Sequence, residues 1–315
     1  MSELWPAVPL PRAAATVAGR LKRGRLSPGR VLLHGFLILM ALVWLFPLAW
    51  PIYTALRPVG DTITHGYVSW PSRLSFENFT NVWVQADMFH YFLNTMAIVV
   101  PGVILTLLLS SMVAFAVSQF SWRFNIIVLM IFTAGNLLPP QVIIVPLYWI
   151  YLNIPVPDLT IGGVELLSDN GLLYDQVIGV ILINVIFQTG FATFVLSNYM
   201  KTITKEITES ALVDGANVLR IWWSVILPLC RPALAAMATL LFTFMYNDFF
   251  WALVLMKSGD KRPITSALNN LHGAFFTNYN LLAAGSLIAA VPPVVIFILL
   301  QKHFVRGLTL GSTKG

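Results

Sequence analysis

Three groups of residues in this 315-residue chain have types and spacings that bear on chemistry. The first is Tyr246-Asn247-Asp248, set in the apolar stretch Ala233–Met256, where Asp248 is the only Asp, Glu, Lys or Arg. An ionisable side chain in such a stretch is costly in hydrocarbon and faces a cavity or a partner group. Two readings stay open: these residues line a path for a polar solute and hydrogen-bond its hydroxyls, or they bridge to another helix. The second group is spread over Lys201–Pro232, KTITKEITESALVDGANVLRIWWSVILPLCRP, with Glu209, Ala211, Asp214, Gly215, Ala216 and Pro228 as its distinctive members. The third is the C-terminal stretch Gln301–Gly315 with Gly307, Gly311 and Gly315, which by composition alone could be a disordered end.

Catalytic and metal chemistry have little to build on. The five histidines (His34, His65, His90, His272 and His303) are scattered, and Cys230 is the sole cysteine, which excludes an internal disulfide framework. No H-E-x-x-H, G-x-S-x-G or G-x-x-x-x-G-K-[ST] occurs. The chain is therefore expected to hold no metal and to be no enzyme; any nucleotide hydrolysis would have to reside in another polypeptide.

The elements that must position these groups are membrane helices. The composition is 57% hydrophobic and 10% charged, with a mean hydropathy of +0.78. Soluble domains are about 25% charged. A span needs about 20 apolar residues to cross the hydrocarbon core. Six stretches qualify: Val31–Tyr53, Phe92–Val117, Phe124–Leu152, Val177–Tyr199, Ala233–Met256 and Leu281–Leu300. The expected fold is all-α, a polytopic protein of six transmembrane helices. Pro139-Pro140 and Pro146 predict a break in the third span, with milder bends at Pro101 and Pro292-Pro293.

Orientation follows from the basic residues. With the N-terminus in the cytoplasm, 14 of the 19 Lys and Arg residues fall on the cytoplasmic side, so both termini are expected inside. The loop Asn153–Gln176 carries four acids and no Lys or Arg, which suits an external loop. The net charge of +6 then reflects topology rather than nucleic-acid binding. Val31–Tyr53 is too long for a cleaved signal core and reads as an uncleaved signal anchor. The expected organisation is a basic tail over residues 1–30, a transmembrane domain over 31–304 with a surface loop at 201–232, and a cytoplasmic tail over 305–315. Trp44, Trp50, Trp149, Trp222, Trp223 and Trp251 lie near span ends, where interfacial belts explain them.

Within the loop, Thr202 or Thr204 is expected to cap a short helix whose apolar stripe is Ile203, Ile207 and Ala211, with Lys205, Glu206 and Glu209 off the stripe. Gly215 ends that helix, since glycine accepts the left-handed conformation without steric cost. A second amphipathic stretch, Val218–Leu227, returns to the membrane, punctuated by Pro228 and Pro232. Without further signals this would be an interfacial helix–turn–helix resting on lipid headgroups.

Glu209, Ala211, Asp214, Gly215 and Ala216, with Pro228 in register, resemble the E-A-A-x-x-D-G-A motif of permeases in binding-protein-dependent importers; Ser210 replaces the first alanine. Tyr91–Thr95 (YFLNT), Ala114-Phe115-Ala116, Leu138–Tyr148 (LPPQVIIVPLY) and the C-terminal stretch extend the resemblance from about span one to the last residue. They are similar to the second, maltose-type permease of bacterial ATP-binding-cassette carbohydrate importers, a multi-pass protein of the inner membrane.

The resemblance implies a coupling helix that docks into a groove on an ATPase subunit. Glu209 would face a basic residue there, Gly215 would make a close turn, and the tail with Gly307, Gly311 and Gly315 would touch the ATPase pair. It implies as partners a second permease, an ATP-binding-cassette ATPase dimer, an extracytoplasmic solute-binding protein and membrane lipids, but no nucleic acid. ATP and magnesium would sit on the ATPase, leaving no cofactor on this chain. The family often has Trp-Asn-Glu where this chain has Tyr246, Asn247 and Asp248. In maltose-type systems the companion permease makes most substrate contacts.

Other readings fit less well. An intramembrane aspartyl protease needs two facing aspartates, and a secondary transporter usually shows inverted repeats with ion-coupling carboxylates. Import of a glycerol phosphate or another small polar solute by the same machinery stays open beside a sugar.

Overall fold

The computed structural model describes residues 28–157, 159–161, 164–167, 171–271 and 277–309. The chain divides into two units at Trp50/Pro51. The first is occupied by most of helix α1 (Pro28–Ala55), whose large side chains, such as Leu32, Trp44 and Leu48, are exposed. An all-round apolar helix of this kind takes hydrocarbon, not water, as its solvent.

The second unit is built from α2 (Val59–His65), α3 (Glu77–Gln85), α4 (Met88–Gln119), α5 (Asn125–Ala134), α6 (Pro140–Tyr151) and α7 (Val177–Met200). It continues through α8 (Lys205–Val213), α9 (Val218–Ile221), α10 (Leu227–Leu229), α11 (Arg231–Tyr246), α12 (Phe250–Leu255), α13 (Ile264–Ala267) and α14 (Tyr279–Thr309). One local departure from an all-helical chain is an antiparallel hairpin of β1 (Leu159–Ile161) and β2 (Val164–Leu167), in the acidic loop after α6.

Among the described residues, four helices are long and apolar enough to cross a membrane: α1, α4, α7 and α14 up to Gln301. They coincide with the first, second, fourth and sixth predicted spans. Pro101 in α4 and Pro292-Pro293 in α14 are carried without interrupting either helix. The other two predicted spans are not single helices. The third is split into α5 and α6, and the split falls at the predicted place. Pro139 is extended at φ −59° and ψ 129°, because the ring of Pro140 bars the α conformation to the residue before it. Pro140 then opens α6, where its missing N–H costs nothing. The fifth span is split without any proline into α11 and α12 at Asn247–Phe249, and at its start α11 lies 80° from the segment Val218–Leu229.

The centre of the second unit is α4 packed along α7, with α11 against both and α14 against α11. Small residues make the close approach possible. Gly102, Thr106, Ser110 and Ala114 are all buried on α4 at four-residue spacing, as are Thr189, Thr193 and Ser197 on α7. In lipid there is no hydrophobic drive between helices, so dispersion contact through small residues has to supply the attraction. One apolar cluster joins Val99, Phe115, Leu196, Met200, Met237, Leu241 and Tyr246; a second gathers Tyr151, Val177, Ile181, Trp251 and Leu255 around the start of α7.

Just beyond α1 the chain is knotted around a buried arginine. Arg57 is 1% exposed. Its Nε donates to Asp61 Oδ2 at 2.6 Å, one amino group donates to Gly66 O at 2.7 Å, and the other to Ser69 Oγ at 2.6 Å. The Tyr53 hydroxyl donates to Ser69 O. Asn78 on α3 donates to Ala55 O and Arg57 O, and Asn280 on α14 donates to Thr54 O, Arg57 O and Thr62 Oγ1. The sequence reading counts Arg57 only as one basic residue among five outside; it is the hub of this knot.

Candidate functional site

The surface loop forms the helix–turn–helix expected from sequence. Its turn is a Schellman motif. Gly215 has φ +80°, Gly215 N donates to Leu212 O at 3.0 Å and Ala216 N donates to Ala211 O at 3.0 Å. Thr204 occupies the N-cap position of α8, but its side chain makes no cap bond, and Thr202 donates back to Tyr199 O instead. The side-chain cap that does form is downstream: Asn217 Oδ1 accepts from Arg220 N at 2.8 Å and opens α9. A π-helical stretch, Trp222–Ile226, and the short α10 follow, with Pro228 half-buried inside α10.

The motif residues divide into two sets. Ala211 and Ala216 turn inward against the main apolar cluster. Glu209, Asp214 and Gly215 are exposed, and Val213 beside them is 88% exposed. A Cβ built on Gly215 meets nothing within 4 Å in this chain. Ile207, placed on the apolar stripe by sequence, is 37% exposed. The buried side chain of α8 is instead Thr208, which donates to Gln119 Oε1 at 2.9 Å. Sequence reading missed this pair because the two residues lie 89 positions apart.

The Tyr246-Asn247-Asp248 group marks the break in the fifth span, and its three members point to different surroundings. Tyr246 is 1% exposed and stacks on Phe242 with ring centroids 5.6 Å apart. Asp248 Oδ2 accepts from Asn184 Nδ2 on α7 at 2.9 Å, Oδ1 accepts from Trp251 N at 3.2 Å, and Thr265 donates to the Asp248 carbonyl. Asn247 is exposed, its amide returned to Thr243 O at 2.8 Å. Asp248 thus bridges helices and starts α12, while Asn247 presents itself outward. The Asn-Asp pair was the readable signal for the break, since such side chains compete for backbone groups and favour helix ends.

A hydrogen bond to a charged group contributes about 1.5–3 kcal/mol. Asn184→Leu, which strips Asp248 of its donor, is therefore expected to lower the unfolding temperature in mild detergent by roughly 5 °C. Asp248→Asn keeps an acceptor for Trp251 N and is expected to fall less. Equal unfolding temperatures for Asn184→Leu and the parent chain would remove the bridge from the account.

Gly307 lies inside α14, which continues to Thr309 and so runs through the expected start of the tail at residue 305. Gly311 and Gly315 lie outside the described residues.

These features define a multi-pass helical membrane protein with a surface loop packed against its central helices. Residues 106–310 match the family of binding-protein-dependent transport system inner membrane components, and the chain belongs to that family. It is 29% identical over 263 residues to the melibiose/raffinose/stachyose import permease MelC of Bacillus subtilis, covering 83% of this chain and 88% of that one. It is 30% identical over 283 residues to the arabinooligosaccharide permease AraQ of Halalkalibacterium halodurans, covering 88% and 93%. The fold matches a chain of a bacterial ABC transporter that imports the acidic polysaccharide alginate, with a TM-score of 0.68 at 20% identity, over 94% of this chain and all of that one.

Proposed function

We propose that this chain is the second, maltose-type permease subunit of a bacterial ATP-driven importer, and that its cargo is a carbohydrate delivered by an extracytoplasmic binding protein. The named cargoes of MelC and AraQ support a sugar. In this reading the chain makes six membrane passes: α1, α4, α5 with α6, α7, α11 with α12, and α14. Both termini are cytoplasmic, in keeping with the basic residues. A companion permease completes the pathway, with Asn247 the residue of this chain best disposed to meet solute. ATP and magnesium are held by a separate ATPase dimer, which the α8 loop engages and which the tail beyond Thr309 touches.

The observation that carries this reading is the loop itself. Its inward residues fix it to the membrane helices, while Glu209, Val213, Asp214 and Gly215 are left exposed around a turn with open space beside it. A short rigid element joined at both ends to membrane helices is suited to convert closure of a partner dimer into helix tilt.

The test is co-purification of the tagged chain, co-expressed with its genomic neighbours, from solubilised membranes. The wild type is expected to bring down an ATPase. Gly215→Asp is expected to reduce recovery about tenfold, since a left-handed conformation costs a non-glycine residue about 1–2 kcal/mol and the new carboxylate enters the docking face. Glu209→Lys should act in the same direction. Undiminished recovery with both variants would overturn the docking assignment.

A further inference from the structure

Within the helix α8 itself, a single side chain is buried. Of its nine residues, Lys205, Glu206, Ile207, Glu209, Ser210, Leu212 and Val213 are exposed, Ala211 is half-buried, and Thr208 alone is buried, at 2% exposure. The Thr208 hydroxyl donates to Gln119 Oε1, and Gln119 Nε2 donates to Met200 O at 2.8 Å. Gln119 is the last residue of α4 and 5% exposed; Met200 is the last residue of α7 and fully buried. One amide therefore ties the ends of α4 and α7 to the middle of α8, sharing the Met200 carbonyl with Ile203 N, which donates to it at 3.1 Å. The cytoplasm-proposed end of α4 is fixed in turn by Asn125, whose Nδ2 donates to Val117 O and Phe120 O.

We propose that Gln119 is the positioning residue that makes α8 move together with α4. Covalently, α8 is joined to α7 through Lys201–Thr204 and to α9 through Asp214–Asn217. Through Gln119 it also holds α4, the longest helix of the second unit and the one packed against both α7 and α11. Displacement of the loop then reaches the centre of the unit through a side-chain bond as well as through the two covalent connections. This inference rests on the reading of α8 as the ATPase-docking helix.

The experiment uses the assembled importer in nanodiscs, with spin labels on cysteines introduced at Ser121, just after α4, and Ser210 on α8. Both positions are exposed, and the native Cys230 is buried. In the wild type the label separation is expected to stay the same with and without ATP and vanadate. Gln119→Met and Thr208→Val keep side-chain volume but remove the bond. Each is expected to raise the undocked, longer-distance population roughly fivefold, the equivalent of about 1 kcal/mol. The double variant is expected to be no worse than either single one.

Thr208→Ser retains the hydroxyl and is expected to behave as wild type. Distances in Gln119→Met and Thr208→Val identical to wild type would overturn the clamp. So would a Thr208→Ser variant as defective as Thr208→Val, because the effect would then be packing. If Gln119→Met sheds the ATPase while Thr208→Ser keeps it, the dependence on the bond stands. Failure of the docking reading itself is separable: it is read from Gly215→Asp retaining the ATPase, whatever the labels report.

Discussion

Replacing Arg57 with methionine is expected to loosen the segment from α2 through Ser75 and to cause one of the two largest losses of stability in the second unit. The magnitude follows from what is left behind. The guanidinium is almost wholly enclosed and gives hydrogen bonds to Asp61, Gly66 and Ser69. Methionine fills much of the space but satisfies none of these acceptors, and a buried carboxylate without its cation is the costly species. The unfolding temperature in detergent is expected to drop by roughly 10 °C, and amide exchange should rise first between residues 59 and 75. Removing both charges in Arg57→Met with Asp61→Leu should recover part of the loss, since an apolar pair of similar volume is close to neutral. A single variant as stable as the parent would show that the knot contributes nothing.

The same pair fixes an acid limit. The hydrogen bond from Arg57, aided by Ser72, holds the Asp61 carboxyl at about 2, below its ordinary value of 3.8. A depressed carboxylate adds stability that is fully present above the ordinary value and lost as pH falls through the lowered one. Acid loosening of this segment is thus expected between about pH 4 and pH 2, and Arg57→Met should weaken that dependence on Asp61, leaving the part that Ser72 supplies.

The second large effect is at Gly190 on α7. A Cβ placed there would collide with the Phe132 carbonyl oxygen and the Asn136 side chain. Asn136, its amide turned so that both ends are satisfied, donates to Phe187 O at 2.7 Å and accepts from Phe191 N at 3.1 Å. The obstacle is backbone on one side and a doubly bonded amide on the other, so neither yields as a free side chain would. Overpacking costs about 1–3 kcal/mol and more where backbone must shift. Gly190→Ala is expected to lower the unfolding temperature by roughly 5–10 °C. Gly135, nearby at the end of α5 with an ordinary helical conformation and nothing within 4 Å of its Cβ, provides the contrast. Gly135→Ala should leave the unfolding temperature unchanged. Equal behaviour of the two alanine variants would remove close helix approach as the role of Gly190.

Local chemistry was legible in the sequence wherever one side chain decides one conformation. Gly215 ends α8 in the left-handed region, Pro140 breaks the third span, and hydrophobic length alone locates α1, α4, α7 and α14. What escaped was decided by partners remote in sequence. Nothing local distinguishes Gln119, Arg57 or Asn184 from other polar residues near span ends, because each takes its role from groups on another helix or loop. The break at Asn247 lay between. Its polar residues stand out in the sequence as lining a path or bridging to another helix, and the bridge is what Asp248 makes; without a proline, nothing marks them as a break in the span.

The ends of α11 have a mechanical consequence. At Cys230 the chain turns through 80°, and at Asn247–Phe249 the helical hydrogen bonding lapses. A rod with a joint at each end transmits push along its axis but little torque to what lies beyond. The outer piece, α12, is meanwhile pinned to α7 through Asp248 and Asn184, and its last carbonyl, on Leu255, accepts from Asp175 N. Stiffness along the unit therefore resides in α4 and α7, the uninterrupted mast, while α11 is held to them by side-chain packing and not by a continuous helix into its outer cap.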